Sequence, residues 1–251
     1  MHIRFLAARA LALSKGLRDF LVPATCLSCG AIVGRDGGFC AGCWPGVRFI
    51  SRPFCATLGR PFEYETGDGA ISMEALSEPP PFDRHRCVMS YGEAARRLVS
   101  GLKFSDRTDL APWMAELMTA FGRELLDDCD VIVPVPLHPR RLLQRRFNQS
   151  AELARHISTG SGKPGRMMSL IRVKATRRQV GLGRGERARN VQGAFRVPAA
   201  ARPEIQGRRV LVIDDVYTTG ATIKACARAL RRAGAVRVDA LTFAMAGLDD
   251  I

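Results

Sequence analysis

The sequence lacks a long uninterrupted apolar run. No stretch of its 251 residues reaches the roughly 18 apolar residues that a membrane-spanning helix needs, which excludes a spanning protein. The N-terminal apolar stretch contains an arginine and has no small-residue cleavage site after it, so a secretion signal is disfavoured. Its helical spacing instead predicts an amphipathic packing helix over residues 1–22, and we expect a cytoplasmic protein.

Acidic residues are also scarce. The chain has 24 Asp and Glu against 38 Lys and Arg, a formal net charge of +14. This surplus disfavours acidic partners and leaves nucleotides, nucleic acid and anionic surfaces as candidates. With 47% hydrophobic and 25% charged residues, the composition is that of a globular protein rather than a disordered or fibrous one.

Two closely spaced cysteine pairs predict a metal site. Cys26-x-x-Cys29 and Cys40-x-x-Cys43 present four thiolates on two tight turns, which is the ligand set of a structural zinc ion. We therefore predict one zinc ion bound by these four residues. Two disulfides, which would need an exported protein, and unused thiols are the alternatives. The other cysteines stand singly and are interpreted as small buried residues: Cys55, Cys87, Cys129 and Cys226.

The rest of the chain alternates between helices and apolar strands. Helices are predicted over 93–103, 110–126, 144–158 and 221–233, and strands over 131–135, 210–213 and 236–244. Short apolar strands separated by such helices indicate a parallel sheet covered on both faces. A proline-rich run at 78–81 predicts a linker before this region. No repeat longer than the cysteine pairs is evident.

Residues 210–222 carry the sharpest functional pattern. Four aliphatic residues precede Asp214 and Asp215, and a threonine- and glycine-containing turn then opens into a helix. The N-terminus of such a helix binds phosphate, Gly220 allows a close backbone approach, and the threonine hydroxyls add donors. Two carboxylates beside a phosphate suit the vicinal hydroxyls of a sugar. The alternative is that these side chains merely cap the turn and the helix.

Positive charge is concentrated in the middle of the chain. Residues 138–190 contain 14 Lys or Arg and two acids, so this stretch supplies +12 of the +14. Four arginines follow the strand at 131–135, where a pyrophosphate would lie: Arg140, Arg141, Arg145 and Arg146. A glycine-containing segment over 177–190 is predicted to be a mobile loop that closes over the ligand. A solvated face, or electrostatic binding of single-stranded DNA with little stacking, is the alternative.

These patterns together resemble a known family. Residues 210–222 resemble the phosphoribosyl pyrophosphate (PRPP) signature of type I phosphoribosyltransferases. With the cysteine pairs, the chain resembles the ComF family of competence-associated proteins over nearly all of residues 20–245. Further matching pieces are Cys26–Gly30, Leu102–Phe104, Val133–Leu137, Arg146–Gln149, Arg178-Gln179 and Asn190–Phe195.

The resemblance implies a fold and a set of site residues. The implied fold class is α/β, a type I phosphoribosyltransferase-like parallel sheet with helices on both faces, preceded by a small zinc ribbon. The implied domains are a ribbon over 23–60, a linker with a degenerate second ribbon over 61–86, and the phosphoribosyltransferase-like domain over 87–251. Asp214 and Asp215 would hold the ribose hydroxyls. The implied phosphate cradle is Thr218, Thr219, Gly220, Ala221 and Thr222, and the implied loop contacts are Arg178, Gln179, Arg187 and Asn190.

The resemblance also implies a function. It indicates a PRPP-binding protein linked to DNA uptake or nucleotide handling, with Mg²⁺ accompanying PRPP. If the chain is an enzyme, it displaces pyrophosphate from C1 of PRPP through an oxocarbenium-like state, for an acceptor that the sequence does not identify. A non-catalytic module that binds single-stranded DNA or a transport helicase is the first alternative. A nucleobase salvage phosphoribosyltransferase is the second.

One departure from the family pattern concerns the metal. Many members carry a second cysteine quartet, of which Cys55 is present in this chain. Leu58, Ser72 and Ala75 stand where its partners would fall. We therefore predict one metal ion rather than two.

Overall fold

The structure is a computed structural model that describes residues 23–35, 37–104, 107–145, 147–175 and 189–248. The helix predicted over residues 1–22 lies outside this part of the chain. The chain divides into two compact units, residues 1–47 and 48–251.

The described part of the first unit is built from two cysteine turns. An antiparallel bridge between Thr25 and Ile32 closes the first turn, and Gly30 there adopts the left-handed φ of +76° that glycine tolerates best. A 3₁₀ helix over Trp44–Gly46 follows the second turn.

The second unit has a four-stranded parallel sheet at its centre. Its strands are β1 (Arg84–Ser90), β2 (Val131–Pro134), β5 (Arg209–Tyr217) and β6 (Arg237–Met245), in the spatial order β1-β6-β5-β2. Two short strands, β3 (Ile171–Arg172) and β4 (Phe195–Arg196), form a separate antiparallel pair. The expectation of a parallel α/β sheet is confirmed.

Helices cover both faces of this sheet. They are α1 (Met73–Ser77), α2 (Glu93–Phe104), α3 (Leu110–Phe121), α4 (Arg123–Asp128), α5 (Pro139–Arg145), α6 (Gln149–Ser161) and α7 (Ala221–Arg232), with a 3₁₀ helix over Ala199–Glu204. α7 packs in a core cluster with Val210 and Val212 of β5. α3 and α6 pack against each other, and their buried residues Met114 and Leu153 lie outside that cluster. In the described part of the chain, no helix has the length and apolar character needed to cross a membrane.

Several elements differ from the sequence-based expectation. The helix predicted over 110–126 is two helices, because the backbone leaves the helical conformation at Gly122 (φ −97°, ψ 13°), a residue type that destabilises helix interiors. A Cβ at this position would stand 2.5 Å from Leu241 Cδ2. The helix predicted over 144–158 is also two: α5 ends at Arg145, and the Asn148 side chain accepts a hydrogen bond from Ser150 N and so caps α6. β1 begins at Arg84, inside the segment predicted as a linker.

The central strand β5 is longer than predicted. The expected strand over 210–213 continues to Tyr217, because Asp214 and Val216 pair with Thr242 and Ala244 of β6. The two aspartates are therefore part of the sheet near its carboxyl edge rather than in the loop that follows. Rigid strand geometry, and not a loop, positions their side chains.

Candidate functional site

The first unit contains a four-cysteine cluster. The sulfur atoms of Cys26, Cys29, Cys40 and Cys43 all lie within 4.8 Å of one another. A tetrahedral zinc ion with Zn–S bonds of about 2.3 Å would hold its sulfurs about 3.8 Å apart. The quartet therefore fits one structural zinc ion, with all four positions taken by protein ligands and none open for chemistry.

The thiols of this cluster differ in acidity. Burial acts to raise the pKa of Cys26, but backbone N–H groups of Cys29, Cys40 and Ser28 outweigh burial and lower it to about 6. Although the Ser28 hydroxyl acts to lower the pKa of Cys43, burial and the neighbouring thiols raise it to about 12. The lowered pKa favours the thiolate form of Cys26, whereas Cys43 would need a bound zinc ion to ionise.

A second ribbon is present without a ligand set. Residues 53–62 repeat the backbone hydrogen bonding of residues 24–33, and this repeat is longer than the cysteine pairs that the sequence shows. The matching bonds are Cys26 N to Ala31 O (2.7 Å) and Gly30 N to Cys26 O (2.9 Å) in the first turn, and Cys55 N to Arg60 O (2.8 Å) and Gly59 N to Cys55 O (2.8 Å) in the second. The sulfurs correspond too, since Cys26 accepts from Cys40 N at 3.4 Å and Cys55 accepts from Ser72 N at 3.2 Å.

This second ribbon does not fit a metal ion. Leu58 and Ala75 are buried and carry no ligand atom, and the Ser72 hydroxyl accepts a hydrogen bond from Ala75 N. The Cys55 sulfur instead accepts backbone N–H groups from Leu58 and Ser72. Hydrogen bonds and apolar packing therefore hold the second ribbon together in place of a metal ion.

Asp214 lies buried on the central strand of the sheet. One of its oxygens, Oδ1, accepts hydrogen bonds from the Ser150 hydroxyl at 2.9 Å and from Asp215 N at 3.0 Å. Burial, and next the charge of Asp215, raise its pKa to about 7. At neutral pH this carboxyl therefore changes its protonation state readily, which is typical of functional sites.

Asp215 forms an ion pair with a lysine from another element. Its Oδ2 lies 2.6 Å from Nζ of Lys103, near the end of α2, and the carboxylate is 10% exposed. Lys103 balances the charge of Asp215, so ionisation of Asp214 gives this largely desolvated site a net negative charge. The arrangement suits a ligand that brings hydroxyl groups or a divalent cation.

The loop after β5 contains an unsatisfied hydroxyl. Thr219 Oγ1 is buried without a hydrogen-bond partner, and Gly220, with a φ of +71°, caps α7 without a side chain. Buried hydroxyls are nearly always partnered, so an open one at a helix N-terminus is available to an anionic oxygen. Position 220 also requires glycine for a reason that the sequence does not show. A Cβ there would stand 2.3 Å from Tyr217 Oη.

The basic residues after β2 lie on the same edge of the sheet. β2 and β5 are parallel neighbours, so α5 and its arginines begin where β5 also ends. Arg140 is exposed, whereas Arg145 stacks over the Phe104 ring at 5.0 Å and its Nη1 donates to Gln149 Oε1 at 3.3 Å. Burial lowers the pKa of Arg172, and the positive charge of nearby Arg141 lowers it further.

The predicted loop contacts fall largely outside the described part of the chain. Arg146, Arg178, Gln179 and Arg187 lie outside the described residues, and Asn190 is described and half-buried. The assignments of these loop residues and of the phosphate cradle stay predictions.

Two residues at the site had no role assigned from the sequence. Lys103 is part of the quoted Leu-Lys-Phe match, and Ser150 directly follows the Phe-Asn-Gln match. Both touch the acid pair. Their positions at a helix end and a helix start are visible in sequence, but the contact with residues over 60 positions away depends on the packed sheet.

A separate cleft of about 560 Å³ lies among α3, α4 and α6. Its lining includes Glu116, Arg123 and His156 and none of the candidate site residues.

Comparison with known proteins agrees with this arrangement. Residues 17–74 match the double zinc ribbon domain family, and residues 152–249 match the phosphoribosyl transferase domain family. The chain is 32% identical over 206 residues to DNA utilization protein YhgH of Escherichia coli (strain K12), covering 80% of this chain and 87% of that protein. It is 29% identical over 215 residues to Competence protein F of Haemophilus influenzae, covering 83% and 91%, and 26% identical over 202 residues to Competence protein ComFC of Bacillus subtilis, covering 79% and 80%.

Fold and cysteine quartet together define a phosphoribosyltransferase-like domain preceded by a zinc ribbon. The chain belongs to the ComF/YhgH family.

Proposed function

We propose that the chain binds PRPP, accompanied by Mg²⁺, where β5 ends and α7 begins. The observation that carries this proposal is the buried acid pair Asp214 and Asp215 on a central parallel strand, a few residues before a glycine-capped helix N-terminus. Ligands of open α/β sheets bind outside the carboxyl ends of the strands. An acid pair there suits ribose hydroxyls, and the N–H groups of the loop suit the 5′-phosphate.

Different residues around the site would bind different parts of the ligand. Asp214 and Asp215 accept hydrogen bonds from the ribose hydroxyls, and the Thr219 hydroxyl with the N–H groups of residues 219–222 binds the 5′-phosphate. Arg140 and Arg141 face the pyrophosphate. A bound Mg²⁺ ion supplies positive charge to the pyrophosphate leaving group. The protein itself positions and stabilises charge and makes no covalent bond.

Calorimetry with PRPP and Mg²⁺ tests this proposal. We expect Asp215→Asn and Asp214→Asn each to abolish measurable binding, because each removes a negative charge and replaces one accepting carboxylate oxygen with a donating NH2 group. Asp130→Asn is the matched control, since Asp130 pairs with Arg209 at the amino end of the same strand. Equal affinity in all four proteins would refute the assignment of the acid pair.

The pH dependence gives an independent check. Because the Asp214 pKa is about 7 and the ionised form is the better acceptor, affinity for PRPP should rise as pH increases from 6 to 8. Affinity that falls over this range would contradict the role given to Asp214. Whether the bound PRPP reacts is tested by screening nucleobases and amines for PRPP-dependent release of pyrophosphate.

A role in handling single-stranded DNA in the cytoplasm is the second candidate function. The names of the relatives refer to DNA utilization and competence, and Arg140 is exposed beside the candidate site within a strongly basic stretch. Basic surfaces bind nucleic acid through its phosphates, so affinity should fall steeply with salt. An affinity that is constant from low to high salt would exclude this function. A DNA-uptake helicase remains a partner to test by the same binding measurements.

A further inference from the structure

The metal-free second ribbon packs directly on the phosphoribosyltransferase-like sheet. The turn 53–62 (here called the metal-free turn) meets β1 through backbone bonds, with His85 N donating to Thr57 O at 2.8 Å. Gly59, at a φ of +64°, approaches so closely that a Cβ there would stand 2.3 Å from His85 O. The close approach leaves no room for a side chain at this position.

His85 connects this turn to the central strand. It is fully buried, and burial lowers its pKa to about 4, so the ring is neutral at physiological pH. Its Nδ1 lies 2.9 Å from the Leu58 carbonyl, which can only accept, so Nδ1 carries the proton. Its Nε2 then accepts from the Thr242 hydroxyl at 2.8 Å. Both nitrogens are satisfied, and the ring is fixed in one orientation.

The fixed His85 ring supports Tyr217, the last residue of β5. The two rings stack with centroids 4.4 Å apart and planes 24° from parallel. The Tyr217 hydroxyl in turn stands over the Cα of Gly220. Thr218 and Thr219 line a small recess with Leu58 and Arg60 of the metal-free turn. A continuous set of contacts therefore runs from Leu58 to the loop at residues 218–222.

We propose that the metal-free turn, acting through His85 and Tyr217, fixes the loop 218–222 in its anion-binding conformation. His85 is then a positioning residue and not a ligand-contacting one. Its effect on affinity rests on the proposed PRPP function, whereas its effect on loop order does not. The second ribbon would thus shape the site without binding a metal ion.

The test changes the turn without changing the site. In Gly59→Ala the new Cβ clashes with the His85 carbonyl. Gly69→Ala is the matched control. Gly69, which follows the metal-free turn, has a φ of +81°, similar to that of Gly59, but nothing lies within 4 Å of its Cβ position. We expect Gly59→Ala to weaken PRPP binding about tenfold, as changes to residues that orient ligand-binding groups commonly do, and Gly69→Ala to leave it unchanged.

Hydrogen exchange of the ligand-free proteins gives the second measurement. Amides in a peptide covering residues 217–224 should exchange faster in Gly59→Ala and in His85→Leu than in the wild-type chain, while those of α3 stay protected. If α3 also loses protection, the change is general unfolding and overturns the proposal, as does unchanged exchange at residues 217–224. Failure of wild-type PRPP binding would overturn the proposed function alone, because the exchange result would still stand.

Discussion

Asp214→Asn should stabilise the protein at neutral and alkaline pH while it removes ligand binding. The folded chain holds the Asp214 pKa near 7, against an ordinary value of about 3.9 in the unfolded chain. Between these two values the unfolded chain ionises this group and the folded chain does not, so stability falls as pH rises. A difference of three units corresponds to about 4 kcal/mol at pH 8. An asparagine avoids this cost and keeps an oxygen for the Ser150 hydroxyl and Asp215 N.

His85 has the opposite pH dependence and must be separated from Asp214. Its folded pKa is about 4, so below pH 6.5 the unfolded chain takes up a proton that the folded chain refuses. Stability therefore falls by about 3 kcal/mol as pH drops from 6.5 to 4. In the wild-type chain the two slopes largely cancel. The difference between Asp214→Asn and wild type isolates the aspartate, because both proteins contain His85.

Urea unfolding of both proteins from pH 4.5 to pH 8.5 measures this difference. We expect the gain in unfolding free energy of Asp214→Asn over wild type to grow with pH and to level off above pH 7. The slope of stability against urea concentration should be the same in both proteins, since the exposed surface is unchanged. A difference that is constant across pH, or that falls with rising pH, would refute the buried high-pKa state of Asp214.

Three further outcomes follow from the described contacts. Lys103→Met should lower the unfolding free energy by about 3 kcal/mol at pH 7, because it leaves the Asp215 carboxylate desolvated and without its partner beside Asp214. Adding Asp215→Asn should recover most of this loss. If the effects of the two changes simply add, the ion pair is contradicted. Metal analysis of the purified, reduced chain should give one zinc ion, and none after Cys40→Ser. The combined change Leu58→Cys, Ser72→Cys and Ala75→Cys completes the second quartet and should raise the count to two. Absence of zinc from the wild type would contradict the first site. Arg140→Ala should reduce the salt slope of single-stranded DNA binding by about one, and an unchanged slope would remove Arg140 from that surface.

The sheet and its connections could be predicted because their signals are local. The aliphatic run before Asp214 indicates a buried strand wherever it stands, and the glycine at 220 marks the start of α7. The cysteine spacing likewise determines its own geometry, since two short turns bring four sulfurs together. In each case a few neighbouring residues contain the whole pattern.

The features that sequence reasoning missed depend on contacts between distant residues. The long predicted helix is interrupted at Gly122, where a Cβ would stand 2.5 Å from Leu241 of β6, and nothing near Gly122 in sequence indicates this contact. The same holds for Lys103 beside Asp215 and for His85 beneath Tyr217. The resemblance implied a degenerate second ribbon, but the repeat of its backbone hydrogen bonds was not visible in the sequence, because three of its four ligand positions carry no cysteine and the hydrogen bonds that define the turn do not depend on side chains.

The structure of the full-length protein crystallised with PRPP and Mg²⁺ is the most direct test. The account predicts ribose hydroxyls within hydrogen-bonding distance of the Asp214 and Asp215 carboxylates, with the 5′-phosphate on the amides of residues 219–222. PRPP bound at another place, with Lys103 still paired to Asp215 and the loop amides facing solvent, would contradict it.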